Sequence, residues 1–334
     1  MKSPIFAILA TPLLVLMLTS CNGGGGSTAV ANPTPAVTPV SDIVADNPTP
    51  GVTPYISFIK LHGTWLVNVK EIDYTIEPKT GYVSKPVAVS YSFDYLVRHG
   101  YASATAQTLT LPVFGLYANY LNTVNIKVVF EDNSSTTLPP IQITTAAPGG
   151  VVNTIYSNPT IKKARAPGSS LGFDYFYLES LLGTPVVVDT DGEVRWVGPG
   201  KMNSQSSFFY NNGFVIGSPD NSNIYRFELD GTTSQTPLVP LDPAIQYTTF
   251  HHSIGLGKTG LFIIANADVN GQFRMESNLA EVDSGNLGKI IAEWDFNSIL
   301  TKYMQSQGDD PSLFIFPGLI DWFHSNSAIY AKRD

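Results

Sequence analysis

The stretch Thr123-Val124-Asn125-Ile126-Lys127-Val128-Val129-Phe130 decides the fold class of this 334-residue chain. From Thr123 to Val128, polar and apolar side chains alternate, which is the period of a β-strand with one buried face. The residues that follow, Glu131-Asp132-Asn133-Ser134, have the composition of a hairpin turn. This part of the chain therefore predicts a strand that enters a β-hairpin.

Similar short runs surround that strand, each rich in Val, Ile, Thr, Tyr and Phe and bounded by turn residues. They are Tyr55–Leu61, Glu71–Ile76, Val87–Tyr95, Thr105–Leu111 and Gln142–Thr145. Six or seven strands within about ninety residues are typical of a β-sandwich. The sequence therefore predicts an N-terminal β-sandwich domain over residues 55–147.

The second half of the chain is also predicted to be mostly β-structure. A mixed stretch over residues 151–180 is interpreted as a crossover, after which strand–turn–strand runs resume. The predicted strands are Pro185–Asp189, Glu193–Val197, Ser207–Tyr210, Phe214–Gly217 and Ile224–Leu229, followed by a longer set within His251–Phe296. One short helix is predicted over Ser298–Gln305, with Asn297 or Ser298 as its N-cap.

Two segments of this half, Ser207–Gly213 and His251–Gly260, look like one structural unit that starts twice. Their offset falls near the roughly 40–45 residues of a four-stranded propeller blade. The spacing favours a partial β-propeller over residues 148–334, and a second sandwich is the alternative. The predicted fold class is therefore all-β, a sandwich followed by an incomplete propeller.

The N-terminus predicts export. Residues 1–20 resemble a signal peptide, with Lys2 as the one charge and an apolar run, Ile5–Leu18, that is too short to span a bilayer comfortably. Leu18-Thr19-Ser20-Cys21 is similar to a bacterial lipobox, so Cys21 is the predicted lipidation site. An ordinary core cysteine is disfavoured because Gly23–Gly26 follows. We expect a membrane-anchored lipoprotein in the periplasm or at the cell surface.

Residues 21–54 are predicted to be a spacer that follows the anchor. Asn22–Pro54 contains no aromatic residue, Lys or Arg, and Asn32–Pro39 recurs as Asn47–Pro54 with one substitution. Such a Pro- and Thr-rich segment buries little apolar area, so we expect a solvated, partly polyproline chain.

Composition excludes several classes of function. The net charge is −8 without a basic patch, which argues against nucleic acid as a partner. The single cysteine allows no internal disulfide in this chain. The sequence has no HExxH, CxxC or His-x-His spacing, no GxSxG and no phosphate loop, so it predicts neither a metal site nor a cofactor.

The chain contains five histidines, and two of them are expected to be bystanders. His62 and His99 each precede a glycine, in predicted turns. His251 and His252 lie together, and as neighbours on a strand they would point to opposite sides, so only one of them is expected to face a given site. The sequence leaves open which one, and a structural role is the alternative.

His324 lies in a dense polar and aromatic segment, Asp321–Ser327. If this segment is a strand, then Trp322, His324 and Asn326 project from one face. His and Asn require polar partners when buried, so such a face is poor core material. It is predicted to line a channel or pocket.

These residues match a known family. Asp321–Ser327 resembles the signature of the bacterial aryl-sulfate sulfotransferases that use no nucleotide sulfate donor, and Phe250-His251-His252 resembles an earlier histidine motif of that family. Leu111–Val124 is similar to its N-terminal sandwich, and Thr190–Trp196 to its first propeller blade. The resemblance extends from Tyr55 to the last residue.

The resemblance implies an Ig-like sandwich followed by a six-bladed propeller. It also implies transfer of a sulfuryl group from a phenolic sulfate ester to a phenol through a sulfated histidine. On that pattern His252 and His324 would be catalytic, binding sulfuryl oxygens or assisting proton transfer. Asn326 and His251 would contact the substrate. The partners are then a phenolic sulfate donor, a phenol acceptor and, through the anchor, a membrane.

The chain departs from the family pattern after Asp321–Ser327. In the family an arginine follows at a short interval and the nucleophilic histidine lies further on, and neither has a counterpart before Asp334. We therefore expect a partial sequence that is inactive alone. The alternative is a non-catalytic, lipid-anchored surface binding protein with a vestigial propeller. The sequence leaves open the natural donor and acceptor and which membrane holds the anchor. It also leaves open the oligomeric state, for which a homo-oligomer is one possibility.

Overall fold

A computed structural model describes the chain from Asp42 to Ala331 with several gaps. The described residues are 42–103, 105, 107–150, 156, 160–163, 165–166, 169, 171–181, 183–316 and 321–331. The predicted signal peptide over residues 1–20, the predicted lipidation site Cys21 and most of the predicted spacer lie outside them. In the described part, no helix is long and apolar enough to cross a membrane.

Two antiparallel sheets form the N-terminal part of the described structure. In chain order its elements are β1 (Val44–Ala45), β2 (Thr49–Pro50), β3 (Ile56–His62), β4 (Val69–Ile76), β5 (Val87–Ser92), α1 (Phe93–Arg98), β6 (Thr108–Phe114), β7 (Leu121–Phe130), β8 (Ser135–Thr137) and β9 (Ile141–Thr144). One sheet has the order β1-β3-β2, with β6 paired to β3. The other has the order β5-β4-β7-β8, with β9 also paired to β7.

Alternation along β7 builds the core between these sheets, as the sequence predicts. Val124, Ile126 and Val128 are fully buried, while the side chains between them are half-buried or exposed. Burying each such side chain stabilises the fold by roughly 1.5–3 kcal/mol. The predicted hairpin turn is confirmed as well: Asn133 has a left-handed φ of 64°, and β8 pairs back onto β7.

The predicted strand Val87–Tyr95 is wrong in its last three residues. Strand β5 ends at Ser92, whose side chain accepts a hydrogen bond of 3.2 Å from the Tyr95 backbone N–H. Serine is a preferred N-cap because its side chain satisfies an unpaired amide of the first helical turn. Helix α1 therefore begins at Phe93, and it buries Leu96 against the sandwich core.

The predicted spacer does not extend to residue 54. Strands β1 and β2 pair with β3, and Ile43 is buried, so the second repeat copy Asn47–Pro54 is part of the sandwich. Strand pairing uses backbone groups, and Pro50 is tolerated because it lies on an edge strand. A composition without aromatic residues therefore did not prevent this segment from joining a sheet.

Three further antiparallel sheets follow in chain order. Their strands are β10 (Tyr175–Leu178), β11 (Val186–Asp189) and β12 (Val194–Val197); β13 (Ser207–Tyr210), β14 (Gly213–Gly217), β15 (Asn223–Glu228) and β16 (Thr233–Pro237); and β17 (Ile245–Leu256), β18 (Leu261–Val269), β19 (Gln272–Asp283) and β20 (Asn286–Asp295). Within each sheet, strands that are neighbours in sequence are neighbours in space. Closure of these sheets into a propeller stays a prediction.

The proposed repeat unit corresponds to equivalent positions in two of these sheets. Ser207–Gly213 covers β13 and its turn into β14, and His251–Gly260 covers the end of β17 and its turn into β18. Both segments therefore connect the first strand of a four-stranded sheet to the second.

Helix α2 (Phe296–Gln307) follows β20, and its N-cap differs from the predicted one. Asp295 accepts a 3.2 Å hydrogen bond from the Ser298 backbone N–H, so neither Asn297 nor Ser298 is the cap. Asn297 lies inside the first turn and is buried. The helix ends at Gly308, whose left-handed φ of 85° is readily adopted by glycine. Two short 3₁₀ segments, Thr64–Asn68 and Pro311–Leu313, complete the described elements.

Arg195 on β12 joins the first of these sheets to the sandwich. Its guanidinium donates to the Gly115 carbonyl from Nε at 3.0 Å and Nη2 at 2.7 Å, and pairs with Asp189 at 3.0 Å. It also lies 3.6 Å from the centre of the Tyr117 ring, within cation–π range. Arg195 is 2 % exposed, so the whole arrangement is shielded from water.

We predict that Arg195→Met lowers the free energy of unfolding by about 3–5 kcal/mol, because Asp189 and the Gly115 carbonyl lose their buried partner. Urea denaturation followed by circular dichroism measures this change. Arg98→Met is the matched control, because Arg98 forms an exposed ion pair with Asp94 at 2.9 Å. Its effect should stay within about 1 kcal/mol. Equal stability of the two variants would contradict the role of Arg195.

Candidate functional site

Strand β17 carries a bulge at its two histidines. Phe250 pairs with Ala265 and Ile254 with Ile263, so His251, His252 and Ser253 lie opposite Ile264 alone. His252 adopts a left-handed φ of 58°, which is uncommon for a residue other than glycine. Bulges interrupt the ladder and redirect side chains. The strict alternation assumed from the sequence therefore does not hold here.

Both histidines reach the same carboxylate, so the prediction that only one faces the site is wrong. His251 Nδ1 lies 2.7 Å from Glu276 Oε1, and His252 Nε2 lies 3.5 Å from the same oxygen. The two ring centres are 3.9 Å apart and the ring planes cross at 78°. The bulge brings the two imidazoles together where a regular strand would separate them.

Glu276 is the centre of the site, and sequence reasoning missed it. It lies on β19, is 4 % exposed, and has a left-handed φ of 51°. A second ladder irregularity lies opposite: Ala265 pairs with Asn278 and Ala267 with Arg274, so three residues face Asn266. The signal that could have pointed to it is a polar run, Glu276-Ser277-Asn278, which the strand continues with the apolar Leu279 and Ala280.

Asn266 on β18 connects the two irregularities. Its side-chain oxygen accepts a 2.8 Å bond from the Glu276 backbone N–H, and its side-chain amide donates to Thr249 Oγ1 at 2.9 Å. Glu276 is thus held through its backbone by a neighbouring strand that also bonds to β17. This arrangement positions the buried carboxylate beneath the two imidazoles.

The segment Asp321–Ser327 is not a strand, which corrects the prediction that Trp322, His324 and Asn326 share a face by alternation. Asp321 Oδ1 accepts a 3.0 Å bond from the His324 backbone N–H, and its other oxygen contacts His324 Nδ1. A bond across three residues forms a turn, because a short Asp side chain competes for backbone groups. His324 has a φ of 28°.

His324 nevertheless reaches the site. Its Nδ1 lies 3.2 Å from Glu276 Oε2, and its ring centre is 5.1 Å from that of His252. Three imidazoles from two distant segments therefore surround one buried carboxylate. Two of the three are those that the sequence singled out as catalytic, His252 and His324.

Asn326 holds this segment against β17 through its backbone. Its carbonyl accepts a 3.4 Å bond from the Ser253 N–H, next to His252. The predicted role of its exposed side chain in substrate binding stays a prediction. Beside it, Phe323 stacks on Phe296 of α2 at 5.0 Å between ring centres, and Trp322 contacts Phe323. Trp322 and Phe323 immediately precede His324 in the chain.

The other two histidines have local partners elsewhere. His62 ends strand β3, where its Nδ1 lies 3.3 Å from Asp46 Oδ1. His99 follows α1 and stacks on Tyr95 at 4.0 Å between ring centres. His62 therefore lies in a strand and not in the predicted turn, and neither ring contacts the Glu276 site.

The surroundings shift the pKa values of His252 and His324 in opposite directions. Burial, followed by the neighbouring charge of His251, lowers the pKa of His252. The hydrogen bond to Asp321, followed by the charge of Glu276, raises the pKa of His324. His324 therefore keeps its proton to higher pH than His252. Its contribution to stability is present below the unfolded pKa of about 6.5 and is lost as pH rises through its folded pKa.

Among the residues that the structure describes, two overlapping sets of side chains could hold a metal ion. His251, His252 and Glu276 form one set, and Glu276, Asp321 and His324 form the other. In each set the donor atoms lie within 4.8 Å of one another. Imidazole nitrogen and carboxylate oxygen together suit first-row transition metals. No spacing in the sequence reveals either set, because bulges and a distant turn bring the ligands together.

Comparison with known protein families covers most of the described chain. The family model described as Arylsulfotransferase (ASST) matches residues 168–334, which include all the residues of the site. The model described as Arylsulfotransferase Ig-like domain matches residues 43–146. No curated protein matches the chain at a significant level.

We predict that Asp321→Asn lowers the pKa of His324 toward the ordinary value of about 6.5, because the carboxylate that holds its proton is lost. A histidine titration by NMR measures the change. Asp46→Asn, beside His62, is the matched control and should leave the His324 titration in place. The assignment fails if His324 titrates below His252 in the parent chain, or if Asp321→Asn leaves it unmoved.

Proposed function

Since the chain belongs to the arylsulfotransferase family, we propose that the site around Glu276 binds a phenolic sulfate ester and serves sulfuryl transfer to a phenol. The observation that carries this proposal is the convergence of His251, His252 and His324 on one buried carboxylate. It supplies several nitrogen donors and acceptors to one small volume, in a segment that the family model matches. A Pro- and Gly-rich loop with a purely structural role would not be expected to bring these nitrogen atoms together.

The proposed reaction has two steps. An imidazole nitrogen attacks the sulfur, so that an N–S bond forms and the aryl S–O bond breaks, and the phenolate leaves with the electron pair. The oxygen of a second phenol then attacks the sulfur, and the N–S bond breaks to regenerate the imidazole. Negative charge on the sulfuryl oxygens and on the departing phenolate requires aligned hydrogen-bond donors.

The separated acidities assign different tasks to two histidines. His324, with its raised pKa, is suited to donate to a sulfuryl oxygen or to the departing phenolate. His252, with its lowered pKa, is neutral over a wider range and can accept the proton of the incoming phenol. Environments that push two pKa values apart are a common way to assign acid and base roles.

The aromatic side chains beside the site suit the aryl groups. Trp322 and Phe323 lie next to His324 in the same segment, and Phe323 is already stacked on Phe296. Phenol rings pack well against such offset or edge-on aromatic partners. His251 and Asn326 complete the proposed substrate contacts, the first through its ring and the second through its side-chain amide.

The proposal also covers where the protein is located in the cell and how the complete enzyme is built. We place the domain outside the cytoplasm, anchored through Cys21, where a reaction without a nucleotide donor can proceed. The three C-terminal sheets would be blades of a propeller. On the family resemblance, His252 and His324 would supply binding and proton transfer, and another histidine would be the nucleophile.

We predict that this chain binds an aryl sulfate, and that His252→Ala and His324→Ala each weaken binding about tenfold or more. A hydrogen bond to a charged group contributes about 1.5–3 kcal/mol, which corresponds to this loss. Isothermal titration calorimetry measures the affinity. His62→Ala, which removes a histidine outside the site, should bind as the parent does. Unchanged affinity in both site variants would refute the assignment.

Turnover is a separate test in the same samples. A chromogenic aryl sulfate is mixed with an added phenol, and phenol-dependent release of the chromophore is followed. We expect none from this chain, and no mass increase of one SO₃ group on the protein. If release occurs, one of His251, His252 and His324 is the nucleophile, and the alanine variant that abolishes the SO₃ adduct identifies it.

A further inference from the structure

Three buried polar atoms of the site lack a well-aligned hydrogen bond within the described part of the chain. They are His251 Nδ1, His252 Nε2 and Glu276 Oε2, and each is inaccessible to solvent. Buried polar atoms usually have aligned hydrogen bonds, so atoms without them that converge on one point require an explanation. The two nitrogens are the same atoms that approach Glu276 Oε1, at 2.7 and 3.5 Å.

The 3.5 Å separation is close to that between two ligands of one metal ion, and the 2.7 Å separation is shorter. A tetrahedral zinc ion with bonds of about 2.0–2.1 Å places neighbouring ligand atoms about 3.3 Å apart. Two histidines and one glutamate, with the fourth position open, are a known zinc arrangement. A small adjustment of the rings would accommodate an ion between the three side chains.

We propose that His251 Nδ1, His252 Nε2 and the Glu276 carboxylate form a binding site for a divalent transition metal ion of the zinc class. The overlapping set of Glu276, Asp321 and His324 is less suitable. His324 is half exposed, and its Nδ1 already contacts Asp321, whereas both nitrogens of the chosen set are buried, approach only Glu276 and lack an aligned hydrogen bond.

Neighbouring residues hold the proposed ligands in position, as the outer layer of residues around the ligands does in known metal sites. The Glu276 backbone is fixed by Asn266, and Asn266 is fixed by Thr249. The second carboxylate oxygen lies 3.2 Å from His324 Nδ1, and Asp321 orients His324. Ligating carboxylates commonly have such partners, and the partners tune the affinity of the site.

The metal site uses the histidines of the proposed sulfuryl site. An ion on His252 occupies the nitrogen that would otherwise exchange a proton or contact the ester. We therefore expect Zn²⁺ and an aryl sulfate to compete for the chain. Metal binding itself does not depend on the proposed function, because it requires only the geometry of the three ligands.

The experiment titrates the chain with Zn²⁺, and separately with Co²⁺, without any aryl sulfate. We expect one ion per chain and the intense visible absorption of four-coordinate Co²⁺. Cys21→Ser removes the only thiol of the chain and should bind equally well. Glu276→Gln and His251→Ala should each weaken binding about tenfold or more, since even outer partners change affinity 10–100-fold.

The controls separate a lost ligand from a lost fold. His62→Ala removes a histidine with a nearby carboxylate outside the site, and should bind like the parent. Urea denaturation checks that Glu276→Gln and His251→Ala remain folded, and if one is not, the other carries the test. Asp321→Asn, which alters only the outer layer, should weaken binding less than either ligand variant.

Three results would overturn the metal site: no saturable binding, unchanged affinity in both ligand variants, or binding that disappears in Cys21→Ser. Competition is measured last, as aryl sulfate affinity with and without Zn²⁺. If metal binds and no aryl sulfate does, the sulfuryl proposal fails and the metal site stands. If aryl sulfate binds and metal does not, the reverse holds.

Discussion

The structure depends on the buried guanidinium of Arg195. It satisfies the Gly115 carbonyl of the sandwich and the Asp189 carboxylate of its own sheet, and it packs on Tyr117. Gly115 has a φ of 87°, and a side-chain carbon there would lie 3.1 Å from Val87, so glycine suits this close contact. A buried charge without these partners would be costly, and the sandwich and the first C-terminal sheet are therefore held in one arrangement.

The turn after Asp189 continues this junction. Asp191 accepts bonds from the Val83 and Ser84 amides at 3.0 and 2.7 Å, and Glu193 pairs with Lys79 at 2.8 Å. In this strand–turn–strand unit, β11 and β12, the turn contacts the sandwich. The two strands belong to the first of the three C-terminal sheets. The site around Glu276 lies two sheets further along, where the ladder is interrupted at His251–Ser253 and again opposite Asn266. Those interruptions, and not the strand pattern itself, make the site.

Sequence reasoning located strands well where one face is buried. Alternation in Thr123–Val128 predicted β7, because burial of every second side chain is a local property that the residue types carry. It failed where a side chain bonds to the backbone. Ser92 converts the end of a strand into a helix, and Asp321 converts an expected strand into a turn. It also failed at β2, because a segment can pair with the edge of a neighbouring strand through its backbone without any apolar pattern in its side chains.

The sequence by itself determined a mostly β chain, many of its strands and turns, and the three histidines that meet at the site. These features follow from local periodicity, turn residues and residue type. Only the tertiary structure decided that His251 and His252 act on the same side and that Glu276 is their common partner. The reason is physical: a bulge changes the direction of a side chain through ladder pairing with residues far along the chain. A buried carboxylate is likewise recognised only by what surrounds it.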